Sequence, residues 1–267
     1  MTTVTSRDGA QLAIEVTGDG CPLVLISGLG GTAAFWRALT EALGDGFRTI
    51  RFDQRGIGAS ERGTLPVTVR TLAEDVWEIV DALALDTPVL CGHSTGGAIV
   101  QEMALLRPGA AGGLVLSGTW AGPDPFLTTL FGARRELLKI SPKSYVELAA
   151  LFSSPPRWHH AHPGALEAAG KAVPDAAQVA IIDERIGALL GHDCRDRVGE
   201  IRERCLVLGA EDDMIVPAYL QEELAAALEQ SELRLFDHGG HFFPVTRADE
   251  TATVIRRWSA AGARSVS

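Results

Sequence analysis

Residues 91–97 read Cys91-Gly92-His93-Ser94-Thr95-Gly96-Gly97, a serine with a glycine two positions away on either side. That spacing suits a sharp turn that lifts a hydroxyl clear of the backbone as a nucleophile, because a side chain at either flanking position would obstruct the turn. The context fits. Residues 88–91 form a short apolar run that reads as a strand, and 96–106 read as a helix ended before Pro108. A helix N-terminus behind the serine offers free N–H groups and partial positive charge, which favour an oxyanion. His93, beside the serine, is read as packing beneath it.

A serine hydroxyl attacks only when a base takes its proton. Among seven histidines, His241 is the candidate. It follows the strand-like segment 233–236 through Asp237-His238-Gly239-Gly240, and the two glycines give it more freedom to turn inward than His238 has. The acid that orients the base should lie in the loop after another strand, between serine and histidine in the chain. Residues 206–209 end such a strand, and Glu211-Asp212-Asp213-Met214 follow. Asp212, three residues after Gly209, is preferred; Asp213, four before Pro217, is the alternative.

A tetrahedral oxyanion needs two N–H donors. One is the backbone of Thr95. The second is expected from Leu29, in the segment Ser27-Gly28-Leu29-Gly30-Gly31 after the apolar run 22–26. A dinucleotide-binding reading of those glycines fails because no acidic residue follows a second strand at the right distance with a free role.

These residues need a scaffold that brings three loops to one edge, and the chain alternates accordingly. Segments 4–6 and 11–16 flank an Asp-Gly turn and predict a hairpin. Strands are then expected at 22–26, 47–52, 88–91 and 113–116, with helices at 35–43, 69–85 and 96–106 between them. Continuous apolar strands separated by helices call for a mostly parallel, doubly wound α/β sheet. From 122 to 199 the alternation stops, and helical patches at 127–138, 145–151 and 178–190 are broken by prolines. Strands return at 204–208 and 233–236, with helices at 218–228 and 249–260. The expected organisation is a core of 1–121 and 200–267 with a helical cap at 122–199, inserted between the fifth and sixth parallel strands.

The formal charge is −10, from 34 acidic and 24 basic residues. An acidic surface argues against nucleic acid or anionic membrane as partner. The four cysteines form no CxxC pair, the first residues have no signal pattern, and no apolar run is long enough to span a bilayer. The cytoplasm is therefore the expected location, and the partner expected is a small-molecule substrate, with the protein a monomer or homodimer. Trp158-His159-His160-Ala161-His162 invites a metal reading, but with flanking prolines and no nearby carboxylate it is taken as a loop or helix start. No metal and no cofactor are expected.

With Ser27-Gly28-Leu29-Gly30-Gly31, Asp53-Gln54-Arg55-Gly56, the 92–97 turn, the Asp212-Asp213 loop and Gly239-Gly240-His241 together, the chain resembles the α/β-hydrolase superfamily over essentially its whole length. Within it, the segments at 27–31, 53–56, 212–213 and 239–241, with Pro156-Arg157-Trp158, are similar to the aminoacrylate hydrolases of pyrimidine catabolism, and the serine and acid loops to the 3-oxoadipate enol-lactonases. The resemblance implies the α/β-hydrolase fold, a structural role for Asp53 and Arg55, and hydrolysis of a small ester, lactone or amide-like bond through an acyl-enzyme. Epoxide hydrolases and haloalkane dehalogenases carry aspartate at the nucleophile position, so Ser94 argues against both. The alternatives on the same residues are C–C bond hydrolysis, cofactor-free perhydrolysis or a non-catalytic ligand sensor. Substrate choice is expected to rest on the cap. Trp120, just after the strand at 113–116, is the pocket candidate, whereas Phe131 and Tyr145 are read as packing within the cap.

Overall fold

The computed structural model describes residues 2–263. Its strands and helices follow in chain order as β1 Thr2–Thr5, β2 Gln11–Thr17, β3 Cys21–Ile26, α1 Arg37–Leu43, β4 Phe47–Phe52, α2 Val69–Ala82, β5 Val89–His93, α3 Thr95–Leu106 and β6 Gly113–Ser117. Five helices come next: α4 Pro125–Ile140, α5 Pro142–Ser153, α6 Pro156–Ala161, α7 Gly164–Lys171 and α8 Ala176–Leu190. The chain returns to the sheet with β7 Cys205–Ala210, α9 Ala218–Ala227, β8 Ser231–Phe236, α10 Phe243–Thr246 and α11 Ala248–Ala263.

The described strands make one eight-stranded sheet in the order β1-β2-β4-β3-β5-β6-β7-β8. β1 and β2 form the expected hairpin and β2 runs antiparallel to β4; every other neighbouring pair is parallel. The apolar strands are buried on both faces, as their unbroken hydrophobicity requires. Leu23 and Leu25 of β3 point into the layer shared with α1 and α11, while Val24 and Ile26 point into the layer shared with α2 and α3. Leu206 and Leu208 of β7 divide from Val207 in the same way.

β3 lies between β4 and β5, so the chain crosses from one side of β3 to the other after β4. Ligand sites of open α/β sheets form at the carboxyl ends of strands beside such a crossing. The loop after β3 and the turn after β5 both emerge there.

The inserted helices lie between β6 and β7. In strand count that is between the fourth and fifth parallel strands, one earlier than expected. Two prolines that read as interruptions in this stretch are starts: Pro142 and Pro156 open α5 and α6, as Pro125 opens α4, where a missing N–H costs nothing. Asp124, Ser141 and Asp175 cap α4, α5 and α8 by accepting from backbone N–H groups. A third apolar cluster joins this segment to the sheet, through Leu127, Phe131, Leu138, Ile186 and Leu189 packed with Ile215, Val216 and Leu220.

Candidate active site

Ser94 sits between β5 and α3 with φ 57° and ψ −125°, a left-handed conformation that a non-glycine residue holds only under constraint. The constraint comes from several directions. Ser94 N–H donates to Ser117 O at 2.8 Å, and the Ser94 carbonyl accepts from Gly97 N–H at 2.9 Å. A Cβ at Gly92 would strike the Gly96 carbonyl, and one at Gly96 would strike the Ile26 carbonyl. The glycine spacing read from sequence is thus a packing requirement of this turn. His93 is buried beneath it, its Nδ1 3.0 Å from Ser117 Oγ and its ring stacked on Phe35. Burial, and secondarily the nearby His241, hold its pKa well below the ordinary histidine value.

His241 leaves the loop after β8 and reaches the same cavity as Ser94. Its ring lies 4.7 Å from that of His93, centroid to centroid. Its Nδ1 is 2.8 Å from Asp213 Oδ2. The other Asp213 oxygen accepts from Ile215 N–H at 2.8 Å and Val216 N–H at 2.9 Å. Three donors hold the buried carboxylate in place. Because a carboxylate can only accept, Nδ1 carries the proton and Nε2 keeps the lone pair of a base.

This pairing reverses the preference for Asp212. Asp212 Oδ1 accepts from Gly240 N–H at 2.7 Å, so it pins the backbone just before His241 and does not touch the imidazole. Successive side chains in a tight loop face different ways. Here the turn closed by Asp213 N–H to Ala210 O directs Asp213 towards the ring. His238, the other histidine of the β8 loop, is exposed beside Asp237 and Arg247.

Leu29 stands in the turn after β3, and Gly28 touches Ser94: a Cβ at 28 would come 3.0 Å from Ser94 Cβ. Thr95 opens α3, whose first-turn N–H groups have no acceptor within the helix. Both residues therefore flank the serine with backbone. The loop is anchored from the inserted helices by Arg185 of α8, which donates from Nε to Leu29 O at 2.5 Å and from Nη2 to Gly28 O at 3.3 Å and Gln54 Oε1 at 2.5 Å. Gln54 in turn donates to the Ser27 carbonyl. The Gly28 carbonyl and the Leu29 N–H belong to one trans peptide and point in opposite directions. A guanidinium holding the carbonyl fixes where that N–H aims. Burial pulls the Arg185 pKa down to about 10, which leaves it a cation at neutral pH.

Ser94 and His241 open onto a cavity of about 610 Å³ between the sheet edge and the inserted helices. Its walls include Phe35 and Phe242 from the sheet side, and Phe131, Arg134, Tyr145 and Ile182 from the helices. Trp120 is not part of it. That residue is fully buried in the third apolar cluster, because the chain after β6 turns under α4 and α8. Phe131 and Tyr145, expected as packing alone, serve in that cluster and in the wall together. Sequence reasoning passed over Arg134 and Arg185, whose places on helix faces give no local signal. His159 and His162 each spend a ring nitrogen on a helix carbonyl, Ala150 O and Trp158 O. Among the described residues no group of three or more histidine, cysteine or acidic side chains is placed to hold a metal ion, and no helix is long and apolar enough to cross a membrane.

The profile of the α/β-hydrolase family matches residues 23–254. The chain belongs to that family. It is a hydrolase of the α/β fold. A protein of Variovorax paradoxus named "Putative carbamate hydrolase RutD" is 38% identical over 247 residues, 89% of this chain and 91% of the relative. Its namesake from Azorhizobium caulinodans is 34% identical over 242 residues, 90% of this chain and 91% of that one. Among solved structures, a malate-bound thermophilic esterase from Thermogutta terrifontis is 25% identical with TM-score 0.85, covering 98% of both chains. The enol-lactonase from Burkholderia xenovorans shares the fold at 22% identity and TM-score 0.86, covering 96% of this chain and 98% of its own.

Proposed function

We propose that this hydrolase cleaves a small ester, lactone or amide-like bond, carbamates included, through an acyl-enzyme on Ser94. His241 takes the serine proton and later delivers it to the leaving group. Asp213 holds His241 in the tautomer that makes Nε2 basic and stabilises the imidazolium. The N–H groups of Leu29 and Thr95 receive the oxyanion, and the inserted helices act as a cap that shapes the cavity. The observation that carries this reading is the strained Ser94 opening onto the same cavity as a histidine whose other nitrogen is committed to a buried carboxylate. The names borne by the relatives, carbamate hydrolase and esterase, support the reaction class.

The test is intact mass after incubation with a fluorophosphonate, on the wild type and on Ser94→Ala. A single adduct on the wild type, none on the variant, and loss of ester turnover in the variant are expected. Turnover that survives Ser94→Ala at more than a small fraction would sink the proposal.

A further inference from the structure

The cavity wall carries one buried charged side chain and, among the described residues, no acid to balance it. Arg134, on α4, is 7% exposed and lines the cavity. Among the described residues it forms no ion pair. Its one hydrogen bond is a long contact of 3.5 Å from Nη2 to the Tyr145 hydroxyl, and its Nε has no partner at all. Its guanidinium lies against the rings of Phe131 and Tyr145, 5.0 and 5.2 Å from their centroids. Among the described residues no aspartate or glutamate lines the cavity. This happens in a chain whose formal charge is −10, where carboxylates to pair with an arginine are plentiful.

Taking a cation out of water is costly unless a partner compensates it, and stacking on aromatic rings compensates only in part. A second unbalanced cation, Arg185, is buried on the neighbouring helix, which adds positive potential on the same side. Elsewhere on the helices arginine is paired as usual: Arg135, the next residue, holds Asp183 through two hydrogen bonds of 2.6 and 2.7 Å. The lack of a carboxylate partner among the described residues is therefore particular to the arginine that faces the cavity.

We propose that Arg134 anchors a carboxylate of the substrate, so that the enzyme acts on acyl compounds with an apolar body and an anionic group distinct from the bond being cleaved. The proposal rests on the reading of this cavity as the site of acyl transfer and deepens it. A guanidinium fork is suited to a planar carboxylate, and the apolar walls between it and Ser94 suit a hydrocarbon spacer. A cavity of about 610 Å³ is of a size that holds drug-sized ligands, far larger than a bare carbamate needs. Tyr145, with its hydroxyl towards Arg134, is placed to share the anion.

The experiment is calorimetric binding of straight-chain dicarboxylates of four to eight carbons against monocarboxylates of equal length, on wild type, Arg134→Gln, Arg134→Lys and Lys139→Gln. Lys139 lies on the same helix, half exposed and paired with acids, so its variant controls for charge alone. A monocarboxylate can occupy the oxyanion site; only the second carboxylate of a diacid tests Arg134. The wild type and Lys139→Gln are expected to bind one length of diacid about 10- to 100-fold tighter than its monoacid, the range of a charged hydrogen bond. Arg134→Gln should erase that gap and Arg134→Lys restore part of it. The same pattern is expected in kcat/KM for p-nitrophenyl hemiesters of the diacids relative to the plain esters. No diacid preference in the wild type, or an equal preference in Arg134→Gln, overturns the proposal. Turnover surviving in Ser94→Ala while Arg134→Gln loses its diacid preference would overturn the acyl-enzyme reading and leave the carboxylate site standing.

Discussion

Buried arginines are treated in opposite ways on the two sides of the cavity. On the sheet side, Arg55 is closed off: Asp75 grips Nε and Nη2 at 2.8 and 2.6 Å, and Asp8 takes Nη1 at 2.7 Å. Among the described residues Arg134 and Arg185, on the inserted helices, meet no carboxylate; one faces the cavity and the other holds loop carbonyls. The difference separates two tasks. The sheet side needs its loops fixed for a reaction that does not vary, so its charges neutralise one another. The helices meet whatever is bound, and there an unsatisfied charge is a means of recognition.

On that view the sheet side should fail steeply when a reacting contact is removed, and the largest effect expected lies there. Asp213→Asn should lower kcat on the order of 10⁴-fold, because an amide can donate to Nδ1 and impose the wrong tautomer. Asp212→Asn, which alters only an acceptor for Gly240 N–H, should lower it no more than about tenfold, the scale of one hydrogen bond. Steady-state kinetics on both variants decide the matter. Equal losses would mean that pinning the loop matters as much as orienting the ring.

The next contrast sets the two kinds of arginine against each other. Arg55→Met leaves Asp8 and Asp75 buried without their cation and should cost about 3–5 kcal/mol by urea unfolding. Arg185→Met removes a buried cation that has no counter-ion, so its stability cost should be under half of that. Its kcat, however, should fall about 10- to 100-fold with KM little changed, since a misaimed Leu29 N–H is lost only where the oxyanion forms. A variant with full kcat would show that the loop holds its own direction.

What could be read from the residues follows the same division. The Gly92-x-Ser94-x-Gly96 turn is legible because its requirement is steric and local: two close backbone approaches admit only glycine. The strands are legible because burial on both faces demands continuous apolar runs. Asp212 and Asp213 were not separable, since both lie in one loop and differ only in which N–H groups and which ring they face. Trp120 was misplaced for a related reason. A position just after a strand sets the edge of the sheet, but the packing of α4 and α8 sets where the side chain goes. Arg134 and Arg185 differ from a solvated helix arginine only in what surrounds them, and that is a property of the assembled helices.

The smallest expected effect extends the contrast to a titrating group. His192, just beyond α8, is buried, its Nε2 has no partner among the described residues, and burial pushes its pKa down to about 4. In the unfolded chain it takes a proton near the ordinary histidine value of about 6.5. Between those two values the unfolded state binds a proton that the folded state refuses, so stability falls as pH is lowered through that window and the contribution levels off below it. The shift corresponds to a loss of about 3 kcal/mol by pH 4. Carboxylates titrate in the lower part of the same window, so the measurement is a difference: unfolding free energy from pH 7 to 4 for the wild type and for His192→Gln. The wild type should lose more than the variant, and the gap should open below about pH 6.5. Parallel curves would mean that His192 charges freely in the folded protein, and that the inserted segment opens there to water before the sheet does.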